Sequence, residues 1–390
     1  MNKEFYLWAD STLKITTKSM EKLRKVICGK YKTIDEKTYN RIINEEDIDR
    51  SCMEKFKMYP YNEEDIYEKE NKMKKMNIWY VTIEEDDYPQ KLREIYDPPY
   101  ILYYMGDLEI ANRFSIGVVG SRKCTDYGKN AVRNIVEDLS RNKVVIVSGM
   151  ARGIDSYAHI FCMSGGTPTI AVMGTSIEKA YPKGSISLKK NILENKGLIL
   201  SEHFIDCKTE PYHFAMRNRI ISGLSDGLLV VEAKEKSGAL ITADCALQQN
   251  RNVYAVPGSI FSETSRGCNN LISEGAKPVQ KSDDIAEDFN KFFITENVQN
   301  KNNNKKICKN SRNSKGSCVN IRFDDIYREN ISDEEIFIVK ILQSKGVLDI
   351  DELSVITGYN ITDLIYNINN LIMKGLIVEE GVNRYAPNII

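Results

Sequence analysis

The sequence predicts an α/β protein whose main domain is a doubly wound, mostly parallel sheet. In the middle of the 390-residue chain, short apolar runs alternate with helical stretches. Several of these runs lack polar–apolar alternation, as strands covered on both faces should. Strand, loop, helix and strand repeated in this order is typical of parallel α/β sheets. Such sheets bind ligands at the carboxyl ends of their strands, so the loops that follow the strands are the candidate sites.

The predicted elements follow each other regularly. The strands are Phe114–Val119, Val144–Val147, Thr169–Met173, Leu198–Leu200, Leu228–Val231 and Val253–Val256. The helices are Tyr127–Arg141, Ile154–Ser164, Leu188–Glu194, Phe214–Leu224 and Ala239–Gln249.

Changes in composition divide the chain into four parts. Residues 1–76 form a helical N-terminal domain, with helices predicted at Met20–Cys28 and Glu63–Lys75, and residues 77–290 form the α/β domain. Residues 291–325 are rich in Asn and Lys and too polar to bury a core, which is typical of a linker. Residues 326–390 form a separate C-terminal domain with three helices and a β-ribbon, as in winged-helix domains.

Charge is distributed unevenly around a net charge of −1. Residues 113–281 hold 22 Lys and Arg against 15 Asp and Glu, and residues 291–322 hold 8 against 1. Residues 331–390 hold 4 against 9. The basic middle favours a polyanionic partner, although charge fluctuation along a Lys-rich chain is an alternative. The acidic C-terminal module would be repelled by phosphates, so we expect it to contact protein or regulate the chain.

Composition also excludes several classes of protein. No apolar run approaches the roughly 18 residues of a membrane span, and the N-terminus has no signal-peptide core. The nine cysteines are scattered without C-x-x-C spacing. We therefore expect a cytoplasmic protein with reduced thiols, without a metal site and without a membrane partner.

Three glycine-containing loops each join a predicted strand to a helix. They are Gly120-Ser121-Arg122, Ser148-Gly149-Met150-Ala151-Arg152-Gly153 and Ser237-Gly238 with Thr242. Glycine lets backbone N–H groups approach an anion, and a helix N-terminus adds positive partial charge. One such loop could be an ordinary tight turn. Three on one sheet edge suit a chain of phosphates better than a single mononucleotide.

Two further segments at the same edge carry positive charge. Lys183 follows Tyr181-Pro182, and Arg217-Asn218-Arg219 opens an otherwise apolar helix. Arginine and amide side chains suit backbone and base contacts, although solvated helix-surface charge is the alternative. Tyr181, Tyr212 and Phe214 could stack bases, but aromatic residues in such positions more often belong to the core.

Catalytic patterns are weak. His159, His203 and His213 have no metal-ligand spacing, and neither a nucleophile elbow nor a Walker loop occurs. Glu232, at the end of a strand, is the best single carboxylate, but no catalytic partner is evident. We therefore predict no catalytic residues and no cofactor. A nucleotide-binding sensor or a phosphoribohydrolase-like enzyme remains the alternative.

Taken together, the loops resemble those of the DNA processing protein A family, also called DprA or Smf. The resemblance covers residues 80–290 and rests on ordered motifs. These are Asp87-Tyr88-Pro89, Asp97-Pro98-Pro99, Gly120-Ser121-Arg122, Ser148 to Asp155 with His159, Tyr181-Pro182-Lys183, Ser201-Glu202, Arg217 to Ile221, Val230 to Ala233, Ser237-Gly238 with Thr242, Val256-Pro257-Gly258 and Gly267 to Ile272.

This resemblance implies an extended Rossmann-like domain that binds single-stranded DNA without sequence preference and forms a homodimer. It also implies loading of the RecA recombinase during natural transformation, and a C-terminal winged helix. The implied DNA-binding residues are Ser121, Arg122, Gly149, Arg152, Lys183, Arg217, Asn218, Arg219, Ser237, Gly238 and Thr242.

The chain departs from the family pattern at three places. Gly184 and Ser185 follow Tyr-Pro-Lys where the family commonly has an acidic residue and then Asn. The N-terminal region has only Gly29 where helix-hairpin glycines are usual, and the linker is unusually basic. A second DNA contact by the linker is therefore an additional possibility.

Overall fold

The computed structural model describes residues 3–13, 15, 17–28, 50–179, 181–289, 332–373, 376–379 and 384–387. The predicted linker, residues 291–325, lies outside the described residues. Residues 1–312 form one compact unit and residues 313–390 form a second. The predicted domain limits at residues 76 and 290 fall inside the first unit and stay predictions.

The helices and strands are labelled here in chain order. The helices are α1 Lys3–Trp8, α2 Thr17–Cys28, α3 Arg50–Met58, α4 Glu63–Lys75, α5 Gln90–Arg93, α6 Asp126–Arg141, α7 Ile154–Ser164, α8 Ile186–Glu194, α9 Pro211–Leu224, α10 Gly238–Gln248, α11 Arg266–Ser273, α12 Asp283–Ala286, α13 Asp333–Lys345, α14 Ile350–Thr357 and α15 Ile361–Met373. The strands are β1 Trp79–Thr82, β2 Ile101–Gly106, β3 Ser115–Gly120, β4 Val145–Ser148, β5 Thr169–Met173, β6 Leu198–Ser201, β7 Gly227–Val231, β8 Asn252–Ala255, β9 Lys277–Pro278, β10 Leu348–Asp349, β11 Ile377–Glu379 and β12 Arg384–Pro387.

The predicted doubly wound sheet is confirmed. Nine strands lie in the order β1-β2-β6-β5-β4-β3-β7-β8-β9. Neighbours from β6 to β9 pair in parallel, whereas β1 with β2 and β2 with β6 pair antiparallel. The strand order reverses between β3 and β7, which is where α/β sheets of this kind open a crevice for ligands.

Apolar cores cover both faces of the central strands. On β4, Val145 and Val147 point into one core while Ile146 points into the other. All three side chains are fully buried. Burial on both faces explains why these strands are continuous apolar runs without alternation.

The N-terminal helices pack into the same core as one face of the sheet. Phe5, Leu7 and Trp8 are fully buried, and the Trp8 ring stacks on Phe56 with centroids 5.4 Å apart. The Tyr103 hydroxyl of β2 donates to the buried Asp10 carboxylate across 2.6 Å. Burial raises the pKa of Asp10 to about 7, and the hydrogen bond from Tyr103 offsets part of this rise. These helices therefore extend the main core.

The C-terminal unit has three helices and a small antiparallel sheet in the order β10-β12-β11. Ser332 and Glu335 form the predicted capping box at the start of α13. Ile338, Leu364 and Leu371 form the centre of its own core. The predicted winged-helix pattern is thereby confirmed, including the ribbon formed by β11 and β12. Among all described residues, no helix combines the length and apolarity needed to span a membrane.

Candidate nucleic-acid interface

Three helix N-termini meet at one edge of the sheet. The strands β4, β3 and β7 are adjacent, and each runs directly into a loop followed by α7, α6 and α10 respectively. The carboxyl ends of parallel strands share an edge, so the three loops lie side by side. Each helix directs its N-terminal backbone N–H groups and a positive dipole end toward this edge. We call this surface, formed by residues 120–125, 149–153 and 237–238, the loop edge.

Close backbone packing at the loop edge explains its glycines. A Cβ on Gly120 would lie 1.9 Å from the Val231 carbonyl oxygen of the neighbouring strand. Gly153 has φ +80°, and a Cβ there would lie 2.2 Å from the Ser121 carbonyl oxygen. The Ile154 amide donates to that same oxygen across 3.2 Å. The first two loops are therefore bound to each other and present one surface.

The third loop begins α10 with a conventional cap. Ser237 Oγ accepts a hydrogen bond from the Ala239 amide across 3.1 Å. Gly238 is exposed, and a Cβ there would meet no atom within 4 Å. Asn218 donates to the Gly238 carbonyl oxygen across 3.3 Å, which connects α9 to this loop.

Glu232 holds the crevice between β3 and β7 together. Its carboxylate accepts from the Thr125 amide at 2.8 Å, from the Thr125 hydroxyl at 2.5 Å and from the Thr264 hydroxyl at 3.1 Å. The side chain is only 3% exposed. Both carboxylate oxygens are occupied, so Glu232 positions the first loop against residue 264.

Two arginines of the loop edge are exposed. Arg122 and Arg152 leave their guanidinium groups open to solvent. The Arg122 guanidinium lies 5.9 Å from the centre of the Phe214 ring. Tyr181, 48% exposed, lies with its ring centre 5.2 Å from that of Phe214. Cationic and aromatic groups thus share this surface.

Arg217 lies beneath the same surface and is 6% exposed. Its Nη1 donates to the Val172 carbonyl oxygen across 2.7 Å. Asp155, also buried, interacts with it electrostatically; burial raises the pKa of Asp155 and the Arg217 charge opposes this rise. Gly149 packs on the guanidinium, since a Cβ there would lie 1.8 Å from Nη1. Arg217 therefore supports the second loop from below.

Arg219 lies two residues further along α9 and forms ion pairs with two carboxylates. It pairs with Glu202 at 2.6 Å and with Asp97 at 3.1 Å. The residue is 8% exposed. The sequence predicts a direct DNA contact for Arg217 and Arg219, whereas the structure gives both guanidinium groups partners within the protein.

Residues 79–290 match the family model described as DNA recombination-mediator protein A. The chain belongs to this family. DNA processing protein DprA of Streptococcus pneumoniae is 43% identical over 208 residues, which are 53% of this chain and 73% of that protein. DNA processing protein DprA of Bacillus subtilis is 42% identical over 210 residues, 54% of this chain and 70% of that protein.

Solved structures agree with this assignment. The X-ray structure of DNA processing protein A from Streptococcus pneumoniae aligns with a TM-score of 0.65 and 33% identity, and the alignment covers 73% of this chain and 98% of that one. The predicted family and the predicted Rossmann-like fold are therefore confirmed.

The site residues predicted for this family member fall into two groups. Ser121, Arg122, Arg152, Ser237 and Gly238 are exposed or half-buried at the loop edge, whereas Gly149, Arg217, Asn218, Arg219 and Thr242 are buried. The side chain of Lys183 lies outside what the structure describes. For the buried residues, direct DNA contact stays a prediction.

Two groups of functional interest were not predicted from the sequence. One is a set of carboxylates near the buried arginines: Asp97 and Glu202 form ion pairs with Arg219, and Asp155 interacts electrostatically with Arg217. The other is Cys207, which lies with His203 and His213 so that their ligand atoms are all within 4.8 Å. Among the described residues this group can hold a metal ion. The sequence contains the signal as His-x3-Cys-x5-His, in which Cys207 lies between the two histidines.

Proposed function

We propose that this chain binds single-stranded DNA without sequence preference along the loop edge and loads a RecA recombinase onto it. The observation that carries this proposal is the meeting of three helix N-termini on adjacent strands beside Arg122 and Arg152. Phosphates would contact the N-termini and the two exposed guanidinium groups. Bases would lie toward Tyr181 and Phe214, whose ring faces suit stacking with any base.

The two groups of predicted residues have different roles in this proposal. The exposed residues contact DNA, and we include Lys183 with them from the sequence, because it follows Tyr181-Pro182. The buried Arg217 and Arg219 position the loops, since their guanidinium groups already have protein partners. Gly149, Asn218 and Thr242 provide close packing under the same loops.

We further propose that the chain is not an enzyme. The hydrolase alternative requires a free carboxylate at the crevice, and Glu232 is the residue that the sequence offers. Its two oxygens are bound by Thr125 and Thr264. Incubation with nucleoside monophosphates and detection of free base tests this point, and release of base would contradict it. Saturable binding of a mononucleotide that DNA cannot displace would support the sensor alternative.

Membership of a recombination-mediator family supports the partner and the process. We propose RecA loading in natural transformation, action as a homodimer through the Rossmann-like domain, and a cytoplasmic location, where the DNA to be processed lies. Ile260 and Phe261, 74% and 91% exposed, are apolar surface of the kind that association buries. Sedimentation of the full chain tests the dimer, and recombinase filament formation on coated single strands tests loading.

The DNA site is tested by fluorescence anisotropy with a labelled single-stranded oligonucleotide and duplex competitor. We expect the Arg122→Ala/Arg152→Ala variant to bind about 100-fold more weakly at low salt, because each lost ionic hydrogen bond costs about 1.5 kcal/mol. The slope of log affinity against log salt should fall by about 0.7 for each lost phosphate contact.

The matched control removes two arginines from the opposite edge. Arg113 lies two residues before β3 and Arg141 ends α6; both are exposed. The Arg113→Ala/Arg141→Ala variant changes net charge equally and should retain affinity within about threefold if the site is local. Equal loss in both variants, or unchanged binding in the first, would contradict the proposed site.

A further inference from the structure

A cluster of three potential metal ligands lies where β6 is joined to α9. His203 and Cys207 belong to the loop after β6, and His213 lies in the first turn of α9. Their ligand atoms, ring nitrogens and the Cys207 Sγ, are all within 4.8 Å of one another. The two imidazole rings lie face to face, with centroids 3.9 Å apart and planes at 27°. Three residues of metal-binding type thus converge from two elements.

The loop is fixed by contacts that do not use these ligand atoms. Lys179 Nζ donates to the Cys207 carbonyl oxygen across 2.6 Å, and the Asp206 amide donates to Glu178 across 2.8 Å. The Phe204 ring packs edge-on against Tyr103 with centroids 5.6 Å apart. The backbone of this loop is therefore held in place beside the cluster. Pre-placed ligands reduce the ordering that metal binding requires.

We propose that His203, Cys207 and His213 bind one zinc ion. Two imidazole nitrogens and one thiolate form a ligand set that zinc uses, with water in the fourth position of a tetrahedron. The nearby carboxylates are engaged elsewhere, because Glu202 pairs with Arg219 and Glu210 pairs with Lys208. Water is therefore the ligand expected to complete the site.

Binding requires the ligand atoms to approach one another and the two imidazole rings to rotate out of their stacked arrangement, because each nitrogen coordinates in the plane of its ring. Zinc bond lengths of about 2.0 Å to nitrogen and 2.3 Å to sulfur place tetrahedral ligands about 3.5 Å apart. The Cys207 thiol releases its proton to solvent on coordination. One of its contacts, from Sγ to the Lys208 carbonyl oxygen at 3.6 Å, is a weak hydrogen bond. The Glu210 amide donates to Nδ1 of His213 across 3.3 Å, a long bond that is readily given up.

The position of the site defines its role. A zinc ion here would connect the loop after β6 to the first turn of the helix that carries Arg217 and Arg219. We expect the ion to stabilise this junction, while the water leaves one coordination position open to exchange. The proposal does not depend on DNA binding, because metal occupancy is measured directly.

The test uses the full chain after removal of metal by a chelator. Co²⁺ serves as the probe, because a cobalt–thiolate bond gives a charge-transfer absorption that nitrogen and oxygen ligands do not give. We expect one Co²⁺ per chain with this absorption, its displacement by Zn²⁺, and a higher thermal midpoint with Zn²⁺. Absence of the thiolate band, or no rise of the midpoint, would overturn the proposal.

Variants locate the metal among the nine cysteines of the chain. Cys207→Ser should abolish the thiolate band and weaken affinity by about 100-fold or more, since even loss of an outer-shell partner costs 10- to 100-fold. The control Cys124→Ser alters another half-buried thiol outside the cluster and should keep the band. His203→Gln is a second variant that retains the thiol and should also lose affinity. An unchanged band in Cys207→Ser would place the metal elsewhere and overturn the assignment.

Discussion

Arginines in two regions at one end of the sheet have opposite environments. Arg122 and Arg152, in the loops after β3 and β4, are exposed. Arg217 and Arg219, on α9 just below, are almost completely buried and have carbonyl or carboxylate partners. The proposed site therefore contains the same residue type in two different environments. Exposed guanidinium groups are available to a polyanion, whereas buried ones fix the loops that present them.

This difference separates effects on binding from effects on folding. Removing an exposed arginine removes a contact and leaves the fold intact. Removing a buried one leaves a buried carboxylate and carbonyl without their partner. Loss of DNA binding in a variant of a buried arginine would therefore not identify a DNA contact unless stability is measured as well.

The largest effect is expected at Arg217. Arg217→Met keeps most of the side-chain volume but leaves Asp155 without its cation and Val172 O without its donor. Breaking a buried pair in this way should lower the free energy of unfolding by about 3–5 kcal/mol. Urea denaturation followed by circular dichroism measures it.

Arg122→Met is the matched control for this prediction. The same substitution at an exposed position should change stability by no more than about 0.5 kcal/mol. Equal stabilities of the two variants would show that Arg217 is not a supporting residue, and would favour the direct DNA contact predicted from the sequence.

A second prediction concerns His159, which lies next to this buried region on α7. Its Nδ1 shares a hydrogen bond with the Thr169 hydroxyl at 2.8 Å. Burial, together with the Arg217 charge, lowers the pKa of His159 to about 3. In the unfolded chain its pKa is about 6.5. At pH values between about 3 and 6.5, His159 binds a proton in the unfolded chain but not in the folded chain. This difference destabilises the fold as pH falls below about 6.5.

His159→Asn preserves a donor or acceptor near the Nδ1 position and removes the titration. As pH falls from about 6 to 4, the unfolding free energy of wild type should decrease relative to that of His159→Asn by about 1.4 kcal/mol per pH unit. Asp10 has the opposite effect, because its raised pKa destabilises the fold as pH rises toward 7. Asp10 titrates in both proteins, so it does not contribute to the difference between them. A constant difference would show that His159 is accessible to protons in the folded chain.

The sequence predicted much of the fold because the central strands and helices have strong local patterns. Ile154–Ser164 occurs with its predicted limits, and Thr169–Met173 does as well. The strands β1 and β2 were missed, because segments of four to six residues without clear polar–apolar alternation carry little periodic signal. They were also outside the alternating pattern, since they pair antiparallel at the edge of the sheet.

The sequence predicted that the three loops share one edge of the sheet, but it did not predict the burial of the arginines behind them. The loops after β3, β4 and β7 follow from topology, because parallel strands end at one edge. The burial of Arg217 and Arg219 depends on Asp155, Asp97 and Glu202, and Asp97 lies 122 residues away in the chain. Local sequence contains no information on such distant partners. An Arg-Asn-Arg segment on a helix therefore looks like exposed charge even where the fold encloses it.

The smallest expected effect compares two glycines of the loop edge. Gly149→Ala places a Cβ 1.8 Å from Nη1 of Arg217. The guanidinium cannot withdraw without losing its 2.7 Å bond to Val172 O, so this variant should lose about 1–3 kcal/mol of stability.

Gly238→Ala is the matched control, because its Cβ would meet no atom within 4 Å. That variant should be unchanged or stabilised by up to about 1 kcal/mol, since alanine restricts the unfolded chain. Thermal unfolding of both proteins gives the comparison. If Gly149→Ala also proved neutral, the Arg217 guanidinium would be free to move, and the division between a rigid buried support and an exposed contact surface would fail.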